Sequence, residues 1–124
     1  MKYLCLIYLD EEAMNALPPS EWNALIRECI AYSDQLQASH YYLAGDALES
    51  VHTATTVRWR NGKLSATDGP FAETKEQLAG YCLLEARDLN EAIQLASKLP
   101  PARYGSVEVR PIRELEESLV QAVS

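Results

Sequence analysis

Short segments of strand composition alternate with two amphipathic helical stripes, an Asn-Gly dipeptide separates two runs fit for strands, and 124 residues suit one hydrophobic core; together these predict a single α+β domain. The elements follow in order. Residues 2–9 (KYLCLIYL) are apolar on both alternating faces, with Leu4, Leu6 and Tyr8 on one side and Tyr3, Cys5, Ile7 and Leu9 on the other. A strand of that kind needs cover above and below. Residues 10–19 are polar and end in Pro18-Pro19, and Ser20 is placed to cap a helix reaching about Ala38. Its stripe is Trp22, Leu25, Ile26, Cys29, Ile30 and Leu36, recurring at steps of three and four with one longer gap.

A second strand is expected over 40–48, with Gly45 as a weak point or bulge. Residues 53–60 (TATTVRWR) carry β-branched residues, and Asn61-Gly62 is a strong short-range hairpin signal. A two-residue turn there sets Trp59 opposite Leu64 and Val57 opposite Ala66. The Gly69-Pro70 step then breaks the ladder. Residues 79–86 (AGYCLLEA) read as a central strand. Asp88 with Glu91 three residues on is a capping box opening a helix with the stripe Leu89, Ala92, Ile93, Ala96 and Leu99, stopped by Pro100-Pro101. A last strand spans 106–112, with room for a bulge before Ile112, and Leu115, Leu119 and Val123 suggest a helical tail at about 113–124.

This order is that of a ferredoxin-like βαββ(β)αβ subunit with an antiparallel sheet. Two principal helices cover one sheet face, yet two of the strands are apolar on both. A second copy packed sheet on sheet would hide the other face, so the pattern predicts a homodimer built as a dimeric α+β barrel.

Charge and cysteine content narrow the classes of partner. Eighteen acidic against eleven basic residues give a formal charge of −7 without a basic cluster, which argues against nucleic acid. The longest apolar run, 4–9, is too short to span a bilayer and no signal-peptide cleavage pattern accompanies it, so a cytoplasmic location without membrane association is expected. Cys5, Cys29 and Cys82 are odd in number and set in apolar segments, as buried free thiols in a reducing compartment would be. No metal-ligand spacing and no nucleotide, acyl-enzyme or zinc-protease motif occurs, and neither a metal nor a cofactor is expected.

Three segments carry a family likeness: KYLCLIY at 2–8, TDGPFAETKEQLAGY at 67–81, and ARYGSVEVRPI at 102–112. In them the chain resembles the DGPF branch of the YCII-related proteins over nearly its whole length. The resemblance implies a bacterial protein with a dimeric α+β barrel and functional association with extracytoplasmic-function sigma factors, and it implies no known reaction. The wider family resembles enzymes through a His in an Arg-x-x-His pattern on the first helix and an Asp before a Pro after the second. Counted from Arg27, the first position is Ile30, and the residue before Pro100 is Leu99. Neither can move a proton, so that acid/base pair does not transfer.

The candidate ligand-binding residues are Asp68, Gly69, Pro70 and Phe71 of the DGPF loop, Arg103 and Tyr104 before the last strand, and His52. Asp68 is placed either to accept hydrogen bonds from a ligand or to bond the amides of its own turn, and Phe71 is expected to plug the core. Arg103 could pair with Asp68 or grip a carboxylate. Lys75, between Glu73 and Glu76, would be a proton-transfer group if buried and a solvated loop residue if exposed. Arg58 and Arg60 face an anion or water. His40 and His52 are lone histidines without an identified carboxylate partner, Trp22 and Trp59 suit a core or a dimer contact, and the candidate catalytic residues are Asp68, Lys75 and Arg103. Two functions compete: a non-catalytic dimer that binds a small molecule or regulatory partner, and a small cofactor-independent isomerase, lyase or monooxygenase using the DGPF loop, the latter by analogy of fold alone.

Overall fold

The computed structural model describes residues 1–115. The chain runs β1 (Lys2–Leu9), α1 (Glu11–Asn15), α2 (Pro19–Ala38), β2 (Tyr42–Ala47), β3 (Thr55–Arg60), β4 (Lys63–Asp68), β5 (Gln77–Glu85), α3 (Leu89–Ser97) and β6 (Ser106–Pro111), with 3-10 turns at Val51–Thr53 and Pro100–Arg103. Four strands form one antiparallel sheet in the order β2-β5-β1-β6, and β3 and β4 form a separate hairpin. With the hairpin set aside, this is the ferredoxin-like α+β arrangement: the first and third strands lie side by side in the centre and the helices follow the first and third. The expected tail helix falls largely on 116–124, outside the described residues; 113–115 are irregular.

Register explains which face holds the core. Cys5 lies opposite Cys82 and Tyr3 opposite Leu84, so these four share a face, and all are buried beneath Leu36 of α2 and Ala92, Ala96 and Leu99 of α3 and the turn after it. The Tyr32 hydroxyl donates to the Leu95 carbonyl at 2.7 Å and ties α2 to α3. Leu4 opposite Leu83 and Leu6 opposite Tyr81 form the other face, half-buried, away from both helices. Among the described residues, the double-sided apolar pattern of β1 thus corresponds to one covered face and one uncovered face.

Local chemistry set several boundaries away from the expected ones. The polar stretch after β1 contains a helix, α1, because the Asp10 carboxylate accepts from the Glu12 and Ala13 amides at 3.1 and 3.4 Å while Met14 is buried. α2 starts at Pro19 rather than after Ser20, since a proline fits the first helical position. The shift in the β2 ladder lies between Tyr42 and Ala44, not at Gly45, and β6 reaches Pro111 without a register shift. Asp88 and Glu91 do form the expected box: the carboxylate accepts from the Glu91 amide at 2.9 Å, and Glu91 accepts from the Arg87 amide at 2.8 Å. On α3, however, Leu89 and Ile93 are about half exposed; the buried line is Ala92, Ala96 and Leu99.

Gly105 has one evident reason. A Cβ there would collide with the Tyr8 backbone carbonyl, so the approach of the turn before β6 to β1 requires a residue without one.

Candidate functional site

α2 begins over the sheet differently from how it ends. Along its C-terminal half Tyr32 and Leu36 join the core, whereas Trp22, Ile26 and Ile30, on the same stripe, are 41, 39 and 58% exposed. Beneath them the sheet offers little bulk. Gly45 is paired with Cys82 and Ala47 with Gly80, so these small residues occupy the helix-facing side where β2 and β5 end. Gly45 is small because the Tyr42 ring lies over it, with the Tyr42 hydroxyl 3.1 Å from its carbonyl oxygen. The result is a cavity of about 840 Å3 between α2 and the edge strand β2, lined as well by Met14, Leu99, Pro100 and Pro101. That is a ligand-sized volume.

The walls are apolar and the rim is acidic. Glu11, Glu12, Asp34 and Glu49 line the cavity together with His52, Asp46 adjoins it on the edge strand while its carboxylate meets Tyr81 on the opposite sheet face, and there is no lysine or arginine among its described lining residues. Two of these carboxylates are engaged. Glu11 accepts from the Ser50 hydroxyl at 2.9 Å and the Val51 amide at 2.6 Å, fixing the loop after β2 against α1. Asp46 accepts from the Tyr81 hydroxyl at 2.8 Å, and that bond holds the phenol above its ordinary pKa by favouring the protonated form. Cys29, in the wall, is also raised, first by burial and then by the neighbouring Glu28 charge, so its thiolate is scarce at neutral pH.

Ile30 and Leu99, the two positions at which the wider family would carry its acid/base pair, both line this cavity. Here the two positions contribute hydrocarbon.

The residues singled out from sequence are scattered. Of the candidate ligand-binding and catalytic residues, only His52 lines the cavity, exposed in the turn between β2 and β3. Asp68 ends β4 and is exposed; Gly69 beside it has φ +101° and donates its amide to the Ala54 carbonyl at 2.8 Å, closing the base of the hairpin. Phe71 does not plug the core. It is 79% exposed, because the loop after β4 bonds to the exposed hairpin, where the Arg58 guanidinium donates to its carbonyl at 3.3 Å and the Thr56 hydroxyl to that of Gly69 at 2.8 Å. Arg103 is not paired with Asp68 but with Glu28 of α2, at 2.6 Å, with its guanidinium carbon 6.0 Å from the Tyr104 ring centre. Lys75 is exposed, as is His40, which adopts φ +64° after α2. Trp59 is 65% exposed on the hairpin, and Trp22 stands in the cavity wall.

Sequence reasoning therefore missed the cavity. The signal was present in two places: small residues at 45, 47, 79 and 80 near the end of one sheet face, and a helical stripe with more apolar residues than such a floor can bury.

Comparison with known proteins agrees with the family likeness. Residues 1–116 match the family model described as YCII-related domain. An uncharacterized protein of Rhizobium meliloti (strain 1021) is 35% identical over 114 residues, covering 90% of this chain and 92% of that protein.

Proposed function

The chain belongs to the YCII-related domain family, and from that premise we propose that it is a small-molecule-binding dimer with a regulatory rather than a catalytic role. The ligand lies in the cavity between α2 and β2. One observation carries this reading: the apolar cavity of about 840 Å3 has Ile30 and Leu99 where the family's proton-transferring pair would stand. A site of that size lined by Trp22, Leu25, Ile26 and Ile30 holds an apolar body by burial, roughly 25 cal/mol for each Å2 removed from water. The dimer covers the outer sheet face, where Leu4, Leu6 and Leu83 would meet their copies, and the regulatory setting is association with an extracytoplasmic-function sigma factor in a bacterial cytoplasm.

A second reading, cofactor-independent catalysis, has support at one point: His52 lines the same cavity. The DGPF loop and Arg103 do not line it, so an enzyme here would work from the rim.

The test uses native mass spectrometry for a co-purifying ligand, and titration with the neutral apolar dye N-phenyl-1-naphthylamine. Ile30→Glu is expected to weaken dye binding about tenfold or more, a loss of about 1.4 kcal/mol, with the thermal midpoint unchanged. Equal binding by the variant would remove the site, and turnover lost on His52→Ala would favour the enzyme. Leu6→Glu should yield particles of single-chain mass in light scattering; a parent protein already of that mass would end the dimer reading.

A further inference from the structure

The β3–β4 hairpin is the least supported part of the fold. Among the described residues its two strands pair only with each other, and all their residues but Thr56 are exposed. The turn is well formed, with Asn61 at φ +51° and Gly62 at φ +74° as a two-residue hairpin turn of the I′ kind needs. A free two-stranded hairpin is nevertheless marginal in water and gains stability by packing on something else.

Its two faces differ. Val57 lies opposite Ala66 and Trp59 opposite Leu64, so Val57, Trp59 and Leu64 share one side and are 60, 65 and 56% exposed. The other side carries Arg58, Arg60 and Lys63, and between residues 55 and 67 there is no carboxylate. The cavity lining is of two kinds. Trp22, Ile26 and Ile30 of α2 bring exposed hydrocarbon to it, while α1 and the loop after β2 bring Glu12 and Glu49. An apolar-and-basic arm thus matches an apolar-and-acidic groove. Within one chain the two do not meet, since Val57, Trp59 and Leu64 are absent from the cavity lining. Both nevertheless lie at the β2 edge of the sheet, because the turn at Val51–Thr53 that contributes His52 to the groove leads directly into β3.

We propose that the hairpin of one copy of this chain lies across the groove mouth of a second copy, so that each subunit closes the other's ligand site. Two complementary patches on one chain, flanking the same sheet edge, are what a two-fold contact uses twice. The apolar side of the arm covers the α2 wall, and Arg58, Arg60 and Lys63 neutralise the rim, whose lining lacks Lys and Arg among the described residues. This rests on the dimer proposed above and adds to it a trans-acting lid.

The full chain carrying Trp22→Phe leaves Trp59 as its single tryptophan. In the dimer its emission is expected to be blue-shifted and shielded from acrylamide, and both properties should be lost on dilution below the dimer dissociation constant. Arg58→Glu with Arg60→Glu and Lys63→Glu should weaken the dimer about tenfold, and adding Glu12→Lys and Glu49→Lys should restore it. A dimer in which Trp59 is quenched as readily as free indole overturns the proposal while leaving the dimer reading intact. Shielded Trp59 in a particle of single-chain mass also overturns it, since the arm would then close its own groove. A monomer at every concentration removes both readings.

Discussion

The two halves of α2 carry one continuous apolar stripe over one sheet, yet they meet different surroundings. At the C-terminal half the sheet presents Cys5, Cys82 and Leu84, the Tyr32 hydroxyl holds the helix to α3, and Leu36 is buried. From its start through Ile30 the helix faces Gly45, Ala47 and Gly80 of the sheet, and Trp22, Ile26 and Ile30 overhang a cavity. The helix supplies similar hydrocarbon to both ends; the side-chain volume of the strands decides which end closes. A core and a binding site are thus distinguished by the bulk of the facing residues more than by the helix's periodicity.

The sharpest separation of the two halves is chemical access. Cys5 and Cys82 are 0 and 5% exposed, and burial pushes their thiols up to about 11 and about 12. Cys29 is only half-buried in the cavity wall. With Ellman's reagent at pH 8, Cys29 should react first and the other two about a thousandfold more slowly or less, since they require the core to open. Three thiols reacting together would mean that both halves of α2 lift as one.

Stability should divide the same way. Leu84→Ala, at a side chain with no exposure, is expected to cost about 2–5 kcal/mol in urea unfolding. Ile26→Ala, on the overhang, should cost under about 1 kcal/mol. Equal losses would show that the groove is packed shut in solution. Leu99 and Ile30 extend the contrast: Leu99→Asp buries a carboxyl at a site 7% exposed and should cost about 3 kcal/mol or more, whereas Ile30→His, 58% exposed, should remain within about 0.5 kcal/mol.

Periodicity and turn chemistry made the ladder legible in the sequence. Alternation in β1, the Asn61-Gly62 turn and the Asp88–Glu91 box each act over a few residues, and register, turn and cap followed from them. Exposure did not follow, because it depends on what lies across the fold. Phe71 is of a type common in cores and is exposed because its loop bonds to the hairpin rather than to the core. Arg103 found Glu28, 75 residues away, rather than Asp68. The cavity was hidden for the same reason: it is created by the absence of bulk at positions 45, 47 and 80, and a pattern search for chemistry-bearing side chains passes over glycine and alanine. The double-faced apolar strand was legible as a need for cover.

The smallest expected effect concerns the cap of α3, the helix that closes the packed half. Asp88 is held below the usual carboxylate range, chiefly by the Glu91 amide that donates to it and further by Arg87, against a smaller opposing effect of desolvation. A depressed folded-state pKa means that the contribution is present above the unfolded value, about 3.9, and lost as pH falls through the folded one. Asp88→Asn keeps an oxygen for the Glu91 amide but cannot be protonated in that range. Relative to the parent, the variant should therefore gain stability as pH falls below about 4, and its loss of helical circular dichroism should shift to lower pH. Parallel acid titrations of the two proteins would mean that α3 owes its start to packing of Ala92 and Ala96, and that the closed half of the molecule is held by bulk alone.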